Sequence, residues 1–299
     1  HHLLVAGKQN VHIRGAGDRS VLVFGSADHH GIRLLDVQNC SVSGLRLELR
    51  EQPPIRHNRA LLELSAARDC VVSDVTAVRS SGPGVRVDSS RGVRVTGVRA
   101  ERAGTYGIEL AACRQVLVEG CDVDRSRDNG IESSWAGSIN CEPQYVRIRG
   151  NRVTGTVEGA GIGLAGGHHV VVEGNDVRDT YLAGISVYER CSHYPPKRLE
   201  VTGNTLTGTN QGRLSYLSGA ISVHDLSEGR TSGDLLIAGN TVNGTPKAGI
   251  WVGGPTPVSA NYSVLDRLEI AGNTFSGLGT TGIDIDDQQR AHITELVIE

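Results

Sequence analysis

The chain has little of what an ordinary globular core is built from. Phenylalanine, tyrosine and tryptophan together make up 4% of its 299 residues, and methionine is missing altogether. Large aromatic side chains dominate most cores, so the apolar mass here has to come from Val, Ile and Leu. Lysine is confined to Lys8, Lys197 and Lys247, which leaves arginine to carry almost all the positive charge. A formal net charge of -3 withholds the basic footprint of a nucleic-acid binder. No segment has the length and apolarity of a membrane-spanning helix. Phosphate-binding loops, dinucleotide fingerprints and paired cysteines at zinc spacing are all missing. The six cysteines do not form a disulfide framework. Cys40 and Cys70 stand where other repeats have Val or Leu, which reads as buried thiols acting as small hydrophobes, close enough on successive repeats to bond each other. The opening His-His without methionine reads as a processed, truncated or tagged product whose leader is gone.

Glycine, at 39 residues, is abundant, and its placement is periodic. The phrase VRIRGNRVTG at Val146 returns as VVVEGNDVRD at Val170, LEVTGNTLTG at Leu199, LLIAGNTVNG at Leu235 and LEIAGNTFSG at Leu268. It fades upstream to VLVEGCDVDR at Val116 and VRVTGVRAER at Val93. Each copy is an alternating run, a Gly-Asn corner and a second alternating run. Alternation marks a strand with one buried face, and Gly-Asn accepts the unusual backbone angles of a tight bend. A third strand of the form Gly-Ile-x-Val follows in each unit, as in GIELA at 107, GIGLA at 161 and GIWVG at 249. Ten such strands predict about ten turns of one coil. Equivalent positions recur every 23 to 36 residues, a spread that belongs to loops inserted at particular corners of a solenoid. A propeller or sandwich would need a different spacing.

These repeats resemble the right-handed parallel β-helix of the pectate lyase-like superfamily, over essentially all of residues 1–299 taken as one domain. The resemblance implies an all-β solenoid of three-strand rungs. It also implies that Asn151, Asn175, Asn204, Asn240 and Asn273 form an internal amide ladder, continued upstream by Cys121, Val98, Val75 and Leu45 without amides. Rungs about 4.8 Å apart would give a rod of about 50 Å. Neither end carries a capping helix, so either residues are missing there or another copy of the chain covers an end. By family analogy the protein is extracellular or periplasmic.

In Gly-Ile-x-Val-x the Ile and Val point inward, so the x residues form two outward columns. The first runs Arg33, Glu63, Arg86, Glu109, Glu132, Gly163, Ser186, Ser222, Trp251, Asp284; the second includes Asp88, Ala111, Ser134, Ala165, Tyr188 and His224. Gly163 and Ala165 leave a gap in both. Long inserts cluster around it and carry Trp135, Arg190 and His193. A groove floored by small residues and edged by indoles suits a carbohydrate polymer or oligosaccharide, and the resemblance places a substrate cleft on this sheet. Tyr188 and His224, on adjacent rungs, are competent to move protons. The reaction would be β-elimination or epimerisation next to a uronate carboxylate, with Arg190 pairing that carboxylate. Mannuronan epimerases and some alginate lyases resemble this in using Tyr and His, although their Asp-Pro-His motif is missing. Glu109 and Glu132, joined by Asp128, are the competing pair, as the two carboxyl groups of a glycoside hydrolase. The Asn-Thr-Asp and Gly-His-Gly signatures of polygalacturonase-like hydrolases are missing too. Read plainly, Glu109 and Glu132 extend a solvated stripe that alternates with Arg33 and Arg86, and the whole is a non-catalytic sugar-binding or structural rod. Trp251, Trp135, Asp128, Ser186, Ser222 and His193 are the expected substrate contacts. No cofactor is required. The acidic end Asp284, Asp286 and Asp287 is the place a Ca²⁺ ion would take. The adjacent pairs His29-His30 and His168-His169 face opposite ways on a strand, which weakens them as metal ligands.

Overall fold

The computed structural model describes residues 2–25, 28, 30–51, 55–134, 144–188, 197–212, 217–224, 232–253, 264–290 and 292–299. The chain winds as a coil whose equivalent strands stack in parallel. Eleven of them form one sheet, beginning with Leu3–Ala6 and Ile32–Leu35 and ending with Ala248–Val252 and Ile283–Ile285. All ten expected Gly-Ile-x-Val strands are in it, and Leu3–Ala6 adds one more. The strands on either side of the Gly-Asn corners make a second, folded sheet of nineteen strands. Val146–Arg149 pairs with His168–Glu173, and beyond the corner Arg152–Thr154 pairs with Asp176–Arg178. Gly150 turns that corner at φ 60°, where a side chain would be strained. Ser41–Leu49 runs through its corner without a break, which joins the two halves of the second sheet. A single turn of α-helix, Asp287–Arg290, departs from the strand pattern.

The alternation expected of the first sheet is what fills the core. Ile108, Ile162, Ile185 and Val187 are 0% exposed, and burying each such side chain contributes about 1.5–3 kcal/mol. The glycine ahead of the inward Ile has a steric cause. A Cβ on Gly107 would lie 2.3 Å from Val123 Cγ1, and one on Gly130 would lie 2.2 Å from Val153 Cγ1. The chain enters the sheet against the buried Val of the following rung, and only glycine leaves room for that Val.

The amide ladder is formed as expected. Asn151 Nδ2 donates to Asn175 Oδ1 at 2.9 Å, and the same step repeats through Asn204 and Asn240 to Asn273 at 2.9–3.0 Å. Each of these oxygens also accepts the backbone N–H of the asparagine one rung earlier. The N–H of Cys121 opens the series by donating to Asn151 Oδ1. Buried amides are thereby satisfied on both sides. Cys40 and Cys70 are buried free thiols, as are Cys113 and Cys121; Cys40 and Cys70 do not join. At the first rung Leu3, Leu4, Val21, Leu22 and Val23 are exposed.

Candidate active site

The two outward columns hold in register across the first sheet. Glu109 faces Glu132, Glu132 faces Gly163, Gly163 faces Ser186, and Ser186 faces Ser222. In the second column Ala165 faces Tyr188 and Tyr188 faces His224. The face is less open than alternation alone suggests, because Glu132, Ser186, Ser222 and His224 are all buried.

The expected gap at Gly163 and Ala165 is filled from the neighbouring rungs. Glu132 lies in it, and its Oε2 accepts from Asn129 Nδ2 at 2.7 Å. Tyr188, two rungs further on, reaches back across the small residues and donates its hydroxyl to Glu132 Oε1 at 3.0 Å. Asn129 Nδ2 also lies 3.5 Å from the phenol oxygen, and Asn129 Oδ1 accepts the N–H of Ala160 at 2.6 Å. Gly163 makes this possible, since a Cβ there would stand 2.2 Å from Glu132 Oε2. Glu132 is 1% exposed, so its carboxylate is spent on holding Asn129 and Tyr188 rather than offered to a ligand.

Tyr188 and His224 stack rather than bond to each other. Their ring centroids are 5.5 Å apart with planes 9° from parallel, and Trp251 continues the row at 6.3 Å from His224. His224 Nε2 lies 2.9 Å from Ser186 Oγ. Ser222 is turned into its own strand, donating to Gly219 O at 3.0 Å. Both serines were expected as substrate contacts; Ser186 instead orients His224, and Ser222, 0% exposed, braces the backbone.

Glu109 and Glu132, the expected hydrolytic pair, hold different partners. Glu109 Oε2 lies 3.3 Å from Arg86 Nε on the preceding rung, whereas Glu132 turns the other way, toward Tyr188. Arg33 Nε likewise pairs Glu63 Oε2 at 2.7 Å. The expected stripe of alternating charge therefore exists over Arg33, Glu63, Arg86 and Glu109 and stops at Glu132. Within that stripe burial pushes the Glu63 carboxyl up from its ordinary range. Asp128 uses Oδ1 in its own turn, accepting the N–H of Asn129 at 2.9 Å. Trp135, Arg190 and His193 lie outside the described residues. At the acidic end Asp286 Oδ1 accepts the N–H groups of Gln288 and Gln289, capping the short helix. Among the described residues no three His, Cys, Asp or Glu side chains gather as metal ligands.

Asn129 is the site residue that the sequence reading missed. It precedes a Gly-Ile strand at a position held elsewhere by Ala160, Ala183, Ala248 or Tyr106. A lone amide in a column held mostly by Ala was the available signal.

Comparison with known proteins agrees with this architecture. The family model described as right handed beta helix region matches residues 5–205 and 136–265. The catalytic domain of a GH87 α-1,3-glucanase in complex with nigerose superposes with a TM-score of 0.61 at 12% identity, covering 99% of this chain and 61% of that one. This chain thus spans about three fifths of the glucanase chain. The A-module of a mannuronan C-5 epimerase from Azotobacter vinelandii gives 0.59 at 14% identity, covering 98% and 84%. An alginate lyase from Paenibacillus sp. gives 0.58 at 12% identity, covering 92% and 99%. Among curated protein sequences none matches. Likeness at such identities carries the fold alone, whereas the family model takes in most of the sequence: the chain belongs to the right-handed β-helix family.

Proposed function

We propose that the protein is a carbohydrate-active enzyme that cleaves a uronate-containing polysaccharide by β-elimination, with Tyr188 and His224 as its proton carriers. The observation that carries this is the pair of parallel rings on adjacent rungs, one anchored by Glu132 and the other by Ser186. His224 takes the proton from the carbon next to the uronate carboxylate. The electron pair forms the new C=C bond, the bond from C4 to the glycosidic oxygen breaks, and Tyr188 gives its proton to the departing oxygen. The Tyr188 hydroxyl rests on Glu132 Oε1 and leaves it as its proton passes to the departing oxygen. His224 is 4% exposed, which keeps bulk water away from the transfer. Both rings rise from one sheet face, so both reach a sugar lying on the sheet from the same side. Elimination with hydrogen and oxygen on one face fits that arrangement, whereas epimerisation needs a proton acceptor on one face and a proton donor on the other. The likeness to proteins named as an alginate lyase and a mannuronan epimerase supports the substrate class. Trp251, the next ring in the row, offers a platform for the neighbouring sugar. A polymeric substrate would place the enzyme outside the cytoplasm.

Incubation with a panel of uronate and neutral polysaccharides, following unsaturated-sugar absorbance and new reducing ends together, tests this. Both signals should rise on a uronate polymer, and Tyr188→Phe or His224→Ala should lower the rate about 10²- to 10⁴-fold. Reducing ends without the chromophore would refute elimination in favour of hydrolysis. Neither signal, with proton exchange from heavy water into the polymer, would replace it by epimerisation. Neither signal nor exchange would leave a sugar-binding or structural rod.

A further inference from the structure

A second feature lies on the other side of the coil, where the chain turns from the first sheet into the second. One residue per rung stands there in the left-handed region: Asn39, Asp69, Gly92, Gln115, Tyr145, His169 and Arg198, at φ between 50° and 69°. Asn, Asp and Gly accept that conformation most readily, and they fill three of the first four places. Further along the rod the corner is given to Tyr145, His169 and Arg198, of which bulky Tyr and Arg accept it less readily than Asn, Asp or His. A bulky residue in strained backbone points to a use for its side chain. Tyr145 is 54% exposed. Its ring lies 4.8 Å from that of His169, whose Nε2 is 3.1 Å from Arg198 Nη1. The three side chains make a continuous ridge over three rungs.

Beside the ridge is a groove of about 570 Å³, lined among others by Asp69, Arg94, Gln115, Leu117, Tyr145 and Arg147. Its floor is an outward column of the second sheet in which Val71, Arg94, Leu117 and Arg147 face one another in register. Apolar and guanidinium side chains thus alternate at each rung step. Arg94 makes no side-chain hydrogen bond or ion pair among the described residues. Arg147 is held by Glu173 at 3.4 Å in an exposed pair, which solvent screens and a ligand can displace.

We propose that this groove is a second saccharide site, on a different sheet from the Tyr188 row, which binds an acidic sugar chain without reacting with it. Tyr145 and Leu117 meet the C–H face of a sugar ring, Gln115 and Asp69 meet its hydroxyls, and Arg94 takes a carboxylate. The arginines recur every second rung, which matches a polyuronate whose carboxylates on one face recur at every second sugar. A neutral glucan would leave Arg94 without its partner. The site requires no turnover and stands apart from the elimination reading.

Calorimetric titration of the whole chain, carrying Tyr188→Phe to prevent cleavage, tests the assignment with a uronate tetrasaccharide and a glucose tetrasaccharide as probes. Tyr145→Asn and Arg94→Gln should each weaken one uronate-binding event about tenfold or more. Asn39 shows that Asn sits well in this corner, so the melting temperature of Tyr145→Asn should not fall. If the Tyr188 row binds no sugar, the one remaining event should still be lost in Tyr145→Asn, which separates the two readings. Unchanged uronate binding in both variants, equal binding of the glucose probe, or no binding at all would overturn the proposal.

Discussion

Gly163→Ala is a small perturbation with a specific target. The backbone at Gly163 is not left-handed, so alanine adds no conformational strain there. Its Cβ would, however, lie 2.2 Å from Glu132 Oε2 and 2.3 Å from Asn129 Nδ2. Ordinary contact requires the carboxylate to retreat by about 1 Å, and in a packed interior the room is not available. Overpacking of this kind costs about 1–3 kcal/mol. The retreat also weakens the hydrogen bonds of a buried carboxyl group, and leaving such a group poorly satisfied costs about 1–3 kcal/mol. The sum expected for Gly163→Ala is about 2–6 kcal/mol, with loss of whatever activity depends on Tyr188. In a Glu132→Ala background the carboxyl group is gone and Asn129 can shift into the space it leaves, so the same change should cost about 1 kcal/mol or less. Urea unfolding of the four proteins, with linear extrapolation, measures this coupling. Additivity within about 0.5 kcal/mol would refute the reasoning, because it would mean that alanine and Glu132 do not compete for the same space.

Asn204→Ala should cost more than Asn273→Ala by about 1–3 kcal/mol, since Asn204 is 0% exposed with a ladder neighbour on each side while Asn273 ends the series; equal losses in chemical denaturation would count against the ladder as a stabilising device. His30 lies 3.1 Å from Glu63, yet burial and the guanidinium groups of Arg33, Arg59 and Arg86 lower its pKa from 6.5 to about 4. The unfolded chain therefore takes up a proton below 6.5 that the folded chain refuses until about 4, so His30's share of stability is lost as pH falls through that window. Glu63, shifted upward, contributes the opposite slope. Melting temperatures of His30→Asn should accordingly fall less steeply than those of the parent between pH 6.5 and 4, and an unchanged slope would count against it. Burial pushes the Cys113 thiol up to about 12 and that of Cys121 to about 11. Both should escape iodoacetamide at pH 8 in the folded protein and react after unfolding, as peptide mass spectrometry would show; modification of either in the folded state would refute this.

What could be read from the chain was whatever the strand period dictates. Alternation and the recurring corner gave the coil, the columns and their register, because a one-residue slip would turn every Val and Ile outward. The amide ladder was equally legible, since a buried asparagine repeated at one corner has few other ways to be satisfied. Side-chain direction along a column was not legible. Register puts Glu109 beside Glu132, but does not say that one turns back to Arg86 while the other turns forward to Tyr188. That choice depends on Gly163 and Ala165 leaving space, and on Asn129 arriving from a turn outside the columns. Long side chains can cross two rungs, so nearest-rung reasoning paired Tyr188 with His224 and overlooked Glu132. The ring pair survived as a stack, with its polar atoms committed elsewhere.

The asparagine ladder makes the same contact at every step and does not depend on how many steps there are. A whole rung added or removed between Asn204 and Asn273 would leave the amide series closed, and the core around it would continue unchanged. The Tyr188–Glu132 contact behaves differently, because it measures a fixed distance of two rungs across Gly163. A rung inserted between Ile131–Ser134 and Ile185–Tyr188 would lengthen the coil without disturbing its packing and would part those two side chains. The rod is thus freely extensible beyond Trp251, but of fixed length between Glu132 and Tyr188.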